Sequence, residues 1–560
     1  MPKMKLQNNP LLSALLVNVI ASILSMLVTG VKYESCDDYF MHSVLTGAYG
    51  GEYNVHLYFI NAIYAYFLKP FYALFPSVGW YSIFEKGIEF LSFSAISYVV
   101  LHRFKNKIGR LIALLIVCCV SFDFYLHVEF TRCAAASVAA GILLFATGND
   151  ERKHSFLIWG GLFLVAGFIL RKEMFLLGLP TLASIIVFQF VMNKSIWKYA
   201  VIASIAFAGI IYGMYTFNQT LYEDDDYRYY AAYQGPRAYF GDGAFFDDEA
   251  FSNELDERGI GSRNYRYLRA WYFFDNNVFS LDSMNYLIEI AQRNAYKPNY
   301  LKMPFAIARS LSNTLMRGCV LCWLLLCFAT IYFSNKRKWW VPWVSLFLIS
   351  LSYTYLLLVN RIVIHVEMGI WTFAIIFVLS FLNDSDIIKS NQENKLIKVL
   401  LLSSAIGLII TGVLFAFDRF SEKTTNQMES NIDWRAFSQY AKEKSDDVFL
   451  LPFERYKQLA RNTSNVYKAI VPGSWNNIYS TGYWNIYLPP MRQELKKRGV
   501  TNMFKDIKKD NVYVLSDKES LSFIPFYSEH YHEILVVDTV KNFENLHLLK
   551  YRLKEKNNEN

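Results

Sequence analysis

Long apolar runs are the feature that most limits what this chain can fold into. A helix needs about 20 apolar residues to cross the hydrocarbon core of a bilayer, and several runs approach that length, the first being 11–31. The chain of 560 residues is 54% hydrophobic and only 19% charged, whereas soluble domains average about 25% charged residues. The sequence therefore predicts a polytopic α-helical membrane protein and argues against a soluble protein with buried helices.

About eleven apolar segments are predicted to cross the membrane. The first lacks a convincing cleavage site and is interpreted as a retained signal anchor. Two segments, 133–148 and 156–170, are short for a span and are compatible with tilted or re-entrant helices. The predicted spans are 11–31, 80–101, 110–127, 133–148, 156–170, 174–192, 197–217, 306–333, 339–359, 362–382 and 396–417.

The loops between these spans carry a consistent charge pattern. With the N-terminus inside the cell, most of the short loops that fall on the inner side are basic. Lys and Arg concentrate in short cytoplasmic loops, so the pattern predicts a multi-pass plasma-membrane protein with a cytoplasmic N-terminus. The inner segments are 3–5, 102–110, 149–155, 193–198, 335–338 and 383–395.

Three longer segments then fall on the outer side of the membrane. They are the first loop 32–79, the acidic loop 218–305 and the tail 418–560. In the tail, amphipathic helical stretches alternate with strand-like runs at 447–453, 511–516 and 533–540. This alternation is typical of a small α/β domain. We predict a membrane domain over residues 1–417 and an extracytoplasmic α/β domain over residues 418–560.

Net charge and cysteine content argue against several classes of function. The excess of 56 basic over 48 acidic residues gives a net charge of +8. In a membrane protein such an excess mainly sets topology, so we predict no nucleic-acid partner. The seven cysteines show neither paired zinc-ligand spacing nor a disulfide framework.

Charged residues collect at the outer ends of the predicted spans. Asp37 and Asp38 follow the first span in "YESCDDYFMH". Charged groups beside spans tend to face the bundle interior or a water-filled cavity, so we expect these residues to share one outer cavity. The other candidates are His56, Glu129, Arg132, Arg171, Lys172, Glu173, Arg361, His365 and Glu367.

The residue types in this set suit a phosphate-containing substrate with a reacting hydroxyl. Arg binds phosphate oxygens in a bidentate manner and Lys supplies a point charge. We expect Arg132, Arg171, Lys172 and Arg361, with His365 and His56, to bind the substrate. An aspartate accepts a proton from an attacking hydroxyl, which assigns Asp37 or Asp38 as the base. The supporting carboxylates that pair with neighbouring cations are Glu129, Glu173 and Glu367.

Structural roles account for the same residues in simpler ways. Asp37 and Asp38 are suited to cap a helix that begins at Tyr39, and the basic residues are suited to anchor span ends to lipid headgroups. The run "EDDD" at 223–226 offers oxygen ligands for a divalent cation, but it lacks the glycine spacing of a calcium loop, and a solvated acidic turn is the preferred interpretation. The sequence identifies no cofactor and leaves a divalent cation open.

The general layout resembles the C-type fold of membrane glycosyltransferases, known as the GT-C fold. The resemblance rests on an acidic pair directly after the first span, many spans, and an extracytoplasmic C-terminal domain. It implies transfer of a sugar from a polyprenyl-phosphate donor on the outer face of the membrane. It also implies that Asp37 or Asp38 acts as base or orients the acceptor, while basic residues of other loops hold the donor phosphate.

The leading hypothesis is therefore a polyprenyl-phosphate-dependent glycosyltransferase whose acceptor is a cell-envelope glycan or glycolipid. A polysaccharide polymerase of lipid-linked repeat units is a close alternative, which the Arg-led small-residue helix at 130–145 would suit. A transporter or flippase is a third, although the sequence shows no repeated halves. A non-enzymatic envelope scaffold is a fourth.

Overall fold

The computed structural model describes most of the chain as helices. The described residues are 9–29, 31–104, 107–192, 197–242, 246–295, 318–333, 338–359, 361–382, 434–463, 465–516 and 523–554, with six isolated positions between them. In the described part, seven helices are long and apolar enough to cross a membrane.

Most of the described residues up to residue 220 are helical. The helices are α1 (Pro10–Thr29), α2 (Cys36–Leu45), α3 (Ala62–Leu74), α4 (Trp80–Arg103), α5 (Lys107–Leu126), α6 (Phe130–Glu151), α7 (His154–Leu170), α8 (Lys172–Met192) and α9 (Trp197–Thr220). Two short strands, β1 (Lys32–Tyr33) and β2 (His127–Val128), interrupt the helices.

In the part of the chain that the structure describes, four helices lie within the acidic loop and three apolar helices follow it. The loop contains α10 (Asp225–Gly241), α11 (Asp248–Glu257), α12 (Ser262–Arg269) and α13 (Leu281–Arg293). The later helices are α14 (Cys319–Phe333), α15 (Trp340–Leu358) and α16 (Ile364–Phe381).

Each of the first ten predicted spans coincides with a helix, although three of these helices are atypical as spans. Helix α4 carries Glu85, Lys86 and Glu89 within an otherwise apolar sequence, whereas α7 and the described part of α14 are short. The eleventh predicted span, 396–417, lies outside the described residues.

Helix α6 forms the centre of the bundle. It runs for 22 residues, longer than the predicted segment 133–148, and its candidate span is completely buried. Small residues explain this position, because they let neighbouring backbones approach closely. A Cβ atom on Gly141 would lie only 2.8 Å from the carbonyl oxygen of Gly160 in α7.

The tail folds around one five-stranded sheet. Strand β3 lies between β4 and β5 and is parallel to both, whereas β7 is antiparallel to β5 and β6, giving the order β4-β3-β5-β7-β6. The strands are β3 (Val448–Leu451), β4 (Ile478–Ser480), β5 (Val512–Ser516), β6 (Leu535–Phe543) and β7 (Leu546–Leu553). The helices around them are α17 (Trp434–Glu443), α18 (Phe453–Thr463), α19 (Pro489–Lys497), α20 (Phe523–Tyr531) and the 3₁₀ turn Lys505–Lys508.

The tail packs directly on the first loop. The ring of Phe40 in α2 stacks on Tyr456 of α18 with centroids 4.5 Å apart. The hydroxyls of Tyr49 and Tyr456 lie 2.7 Å apart, and the Asn485 amide donates to both. These contacts make α2 and the tail one packed unit.

The acidic loop also packs on the tail. The backbone nitrogen of Phe273 donates to the carbonyl of Thr481 at 2.8 Å. Asp275, which is 1% exposed, accepts hydrogen bonds from Asn502 and Tyr531 of the tail. The three segments predicted to lie on the outer side of the membrane therefore contact one another.

Candidate functional site

A two-residue parallel pairing joins the first loop to the segment before α6. Strand β1 pairs with β2 through Lys32 opposite His127 and Tyr33 opposite Val128. The backbone nitrogen of Glu34 continues the ladder by donating to the carbonyl of Val128 at 3.1 Å. This pairing places the acidic pair close to the start of α6, although the two segments are far apart in the sequence.

Asp38 is a buried acceptor at this junction. Its Oδ1 accepts hydrogen bonds from the Tyr81 hydroxyl at 2.8 Å and from the Phe130 backbone nitrogen at 3.0 Å. Its Oδ2 accepts from the Ser35 hydroxyl at 3.2 Å. Burial, together with the charges of Glu85 and Glu129, raises the pKa of Asp38. Asp38 therefore connects α2, α4 and α6 and has no surface exposed to a substrate.

Asp37 has a different environment from its neighbour. It is only partly buried, and Oδ1 accepts a hydrogen bond from the Tyr483 hydroxyl of the tail. The predicted cap at Tyr39 is wrong, because α2 begins at Cys36 and both aspartates lie in its first turn. Of the two predicted bases, Asp37 is the one whose side chain is not completely buried.

His42 lies one turn after Asp38 in a network of hydroxyl groups. Its Nδ1 lies 2.8 Å from the Tyr33 hydroxyl and its Nε2 lies 2.8 Å from the Tyr72 hydroxyl. Burial lowers the pKa of His42 from 6.5 to about 3. Burial therefore favours the neutral imidazole in the folded protein.

We expect His42 to make the folded protein less stable in mild acid. Below pH 6.5 the unfolded chain binds a proton at His42 and the folded chain does not. The free energy of unfolding then falls by about 1.4 kcal/mol for each pH unit until the folded pKa is approached. Thermal unfolding of the purified protein and of His42→Gln between pH 7.5 and 4.5 measures this slope. Parallel curves for the two proteins would contradict the assignment.

Arg132 is fully buried and paired with acids of the protein itself. Its guanidinium contacts Asp123 at 2.5 Å and also bonds to Glu34. Burial disfavours ionisation of Glu34, but the charges of Arg132 and His127 outweigh burial and lower the pKa of Glu34 to about 2. Arg132 is 0% exposed and its guanidinium faces Glu34 and Asp123, which argues against the expected contact with a substrate phosphate.

Three of the predicted phosphate-binding residues line one cavity of about 400 Å³. These are Arg171, Lys172 and Arg361, and the structure adds Arg237 from α10. The volume lies within the range of small-molecule sites in proteins. Four basic side chains and two carboxylates, Glu173 and Asp242, therefore face this space.

Arg237 is the most unusual side chain of the cavity. It is only 4% exposed, its Nε donates to Gln234 at 2.9 Å, and its guanidinium lies over the Trp271 ring at 5.3 Å. No carboxylate lies within ion-pair distance of it among the residues that the structure describes. Buried charges are normally paired, so this guanidinium is suited to bind an anionic ligand.

Arg171 and Arg361, two of the remaining cavity cations, are partly neutralised by carboxylates. Arg171 contacts Glu173 at 3.0 Å and lies over the rings of Phe59 and Phe130 at 5.1 Å each. Arg361 lies 3.5 Å from Asp242, with its side chain 54% exposed. Solvent-exposed pairs contribute little to stability, so an anion can replace Asp242 at Arg361 at small cost.

Some predicted site residues lie outside the cavity. His56 stacks on Tyr227 at 3.6 Å, and its ring nitrogens lie near Asn54 and the Leu221 carbonyl. Glu367 is buried and accepts from the Tyr353 hydroxyl at 2.9 Å. These contacts assign structural roles to both residues.

The acidic run at 223–226 also has a local explanation. Asp224 caps α10 by accepting from the Asp226 backbone nitrogen, and Asp225 is exposed. In the described part of the chain, the His, Asp and Glu side chains close enough together to hold a metal are instead Glu34, Glu129 and His365.

Sequence reasoning missed Arg237 and Glu34. Arg237 lies in "YQGPRAYF", with no span end beside it, and its only signal was a basic residue among aromatic residues in an acidic loop. Glu34 precedes the acidic pair by three residues, but its contact with Glu129 depends on the pairing of β1 with β2.

Comparison with known proteins gives no relative. No protein-family model, no curated protein and no solved structure matches this chain. The function is therefore argued from the geometry of the site.

Proposed function

We propose that the protein is a membrane glycosyltransferase that takes a sugar from a polyprenyl-phosphate donor. The observation that carries the proposal is the buried guanidinium of Arg237, which has no acidic partner among the described residues and faces a cavity with three further cations. The acceptor is a cell-envelope glycan or glycolipid, and the reaction takes place on the outer face of the plasma membrane.

The cavity supplies what a lipid phosphate needs. Charge-assisted bonds from Arg to phosphate oxygens are about twice as strong as neutral hydrogen bonds. Such bonds at Arg237, Arg171 and Arg361 stabilise the negative charge that grows on the leaving phosphate in the transition state. Aromatic side chains, including Tyr58 and Tyr222, line the same space and offer flat faces for a sugar ring.

Helix α9 offers a route for the lipid chain. The apolar part of α9, Val201–Thr220, has none of its residues buried within the protein, and its end supplies Tyr215, Asn218 and Gln219 to the cavity wall. A prenyl chain can therefore leave the cavity along α9 while the phosphate stays with the cations.

Asp37 is the proposed general base. It deprotonates an acceptor hydroxyl, which attacks the anomeric carbon as the lipid phosphate departs. Asp37 is not among the described residues that line the cavity, but ring contacts connect it to the cavity wall. Its partner Tyr483 packs at 6.0 Å from Trp484, and Trp484 packs at 5.4 Å from Phe59 of the wall.

We expect Arg237→Gln to weaken donor binding. Loss of a charge-assisted bond costs about 1.5–3 kcal/mol, which corresponds to roughly a 10- to 100-fold rise in KM for the donor. The KM is measured from the transfer of radiolabelled sugar from a polyprenyl-phosphate-sugar pool to membrane acceptors. Thermal stability should be unchanged or higher, because the variant lacks a buried charge.

Arg228→Gln is the matched control. Arg228 lies on the same helix, pairs with Asp225 at 3.1 Å and is 65% exposed, so its loss should leave KM unchanged. Equal KM values for wild type and both variants would remove the phosphate assignment. Movement of an uncleaved lipid-linked sugar across the membrane would identify a transporter instead.

A further inference from the structure

Three metal-ligating side chains meet beside the start of α6. Glu34 follows β1, Glu129 precedes α6 and His365 lies in the first turn of α16. One ligand atom from each lies within 4.8 Å of the others, a separation that ligands around a single divalent cation also have. The three residues come from segments that are far apart in the sequence, so the fold itself brings them together.

Glu129 and His365 each have an atom that is available to coordinate a metal. Glu129 is 1% exposed, and its Oε2 accepts from the Arg132 backbone nitrogen at 2.6 Å. Its second oxygen, Oε1, has no hydrogen-bond donor among the described residues, and neither ring nitrogen of His365 has a hydrogen-bond partner among them. A charged carboxylate on a residue that is only 1% exposed is costly unless a cation or a proton neutralises it.

The surrounding charges make a cation the better candidate. Around the cluster of Glu34, Glu129 and His365, the described acidic residues outnumber the described basic ones. Nearly all of these acidic residues are buried. The acids are Glu34, Glu85, Glu89, Asp123 and Glu129, and the bases are Lys86 and Arg132, with His127 and His365 also facing the group. Lys86 pairs with Glu89 at 2.6 Å, and Arg132 pairs with Glu34 and Asp123, which leaves Glu129 without a basic side chain bonded to it.

We propose that Glu34, Glu129 and His365 bind one divalent transition-metal cation of the Mn²⁺ or Zn²⁺ class. Carboxylates alone would favour Mg²⁺ or Ca²⁺, whereas an imidazole ligand favours first-row transition metals. Three protein ligands leave at least one coordination position open for a substrate oxygen.

The position of the site suggests what the open coordination position does. His365 follows Arg361, which lines the cavity, by four residues, so the proposed cation and phosphate sites are neighbours along the chain. A role in holding the donor phosphate rests on the proposed function, whereas binding of the metal does not.

The test is binding of the metal alone to the full-length protein. Purified protein in detergent is treated with chelator, desalted and titrated with MnCl₂, and the electron paramagnetic resonance signal of free Mn²⁺ is followed. One saturable site per chain, displaced by Zn²⁺, is expected. Wild-type protein without a saturable site would overturn the proposal, whatever the variants do.

Variants locate the site. His365→Ala and Glu129→Gln should each weaken Mn²⁺ binding by at least about tenfold, since even outer-shell changes cost 10- to 100-fold in metal affinity. Asp225→Asn in the exposed acidic run and His547→Ala on the tail surface should leave both stoichiometry and affinity unchanged. Undiminished binding in His365→Ala and Glu129→Gln would place the metal elsewhere and refute the assignment.

The transfer assay separates this inference from the proposed function. Transfer by a protein that shows no saturable Mn²⁺ site would refute the metal site and leave the glycosyltransferase standing. Saturable binding at the three residues, with no transfer from any polyprenyl-phosphate sugar, would support the metal site and count against the enzyme.

Discussion

Replacing Asp37 by Asn is expected to lower kcat for sugar transfer by about 10²- to 10⁴-fold, the usual contribution of a general base. KM for the donor should stay close to the wild-type value, because the donor phosphate binds at the cavity cations. Asn keeps an oxygen that accepts the hydrogen bond from Tyr483, so the fold should be unchanged. Steady-state transfer with radiolabelled donor at matched protein concentration measures both constants.

Asp38→Ala tests whether Asp38 has a structural role while Asp37 has the catalytic one. It leaves the Tyr81 hydroxyl and the Phe130 backbone nitrogen without their acceptor, which costs about 1–3 kcal/mol for each buried donor. We expect a lower Tm as the main effect.

If Asp37→Asn transfers sugar as fast as wild type, Asp37 is not the base. Glu173→Gln and Asp242→Asn, which alter the two carboxylates of the cavity, would then identify a replacement.

Replacing Arg132 by Met is expected to have the largest effect on stability. The substitution leaves Glu34 and Asp123 without the guanidinium that they share. Removing one partner of a buried ion pair typically costs about 3–5 kcal/mol. The variant should accumulate poorly and unfold at a lower temperature, which fluorescence-detected size-exclusion chromatography after a temperature series measures.

Arg171→Met is the matched control for this prediction. Arg171, whose side chain is 16% exposed, pairs with Glu173, whose side chain is 53% exposed, so water screens this pair more than the fully buried Arg132 pairs. Its loss should leave folding nearly intact and weaken donor binding. If Arg132→Met were as stable as Arg171→Met and equally impaired in donor binding, Arg132 would be a phosphate ligand after all.

The distribution of apolar residues was enough to predict most helices. Runs such as 174–192 and 197–217 correspond to α8 and α9 within a few residues, because burial of an apolar run in a bilayer or a bundle requires a helix that satisfies its own backbone. In the tail, strong β-formers predicted β3, β5 and β6. Strand β4 has only three residues and β7 is broken by polar residues, so neither had a clear pattern.

Roles within the charged set were not predictable in the same way. Asp37 and Asp38 are adjacent and chemically identical, yet one accepts three hydrogen bonds in the interior and the other is accessible. Arg132 and Arg171 both lie next to predicted span ends, yet Arg132 is 0% exposed and pairs with two acids, whereas Arg171 lines a cavity. The difference arises from the partners that other segments bring to each position.

By itself, the sequence determined that this chain is helical, where its long apolar helices lie, and which charged residues gather near their ends. These properties depend on residues close together along the chain. Tertiary structure decided which of those charged side chains are neutralised by neighbouring groups and which are available to bind a ligand. Whether a charge is neutralised depends on groups brought within a few ångströms by contacts such as the β1–β2 pairing. Arg237, Glu34 and His365 therefore gain their proposed roles only once the chain is folded.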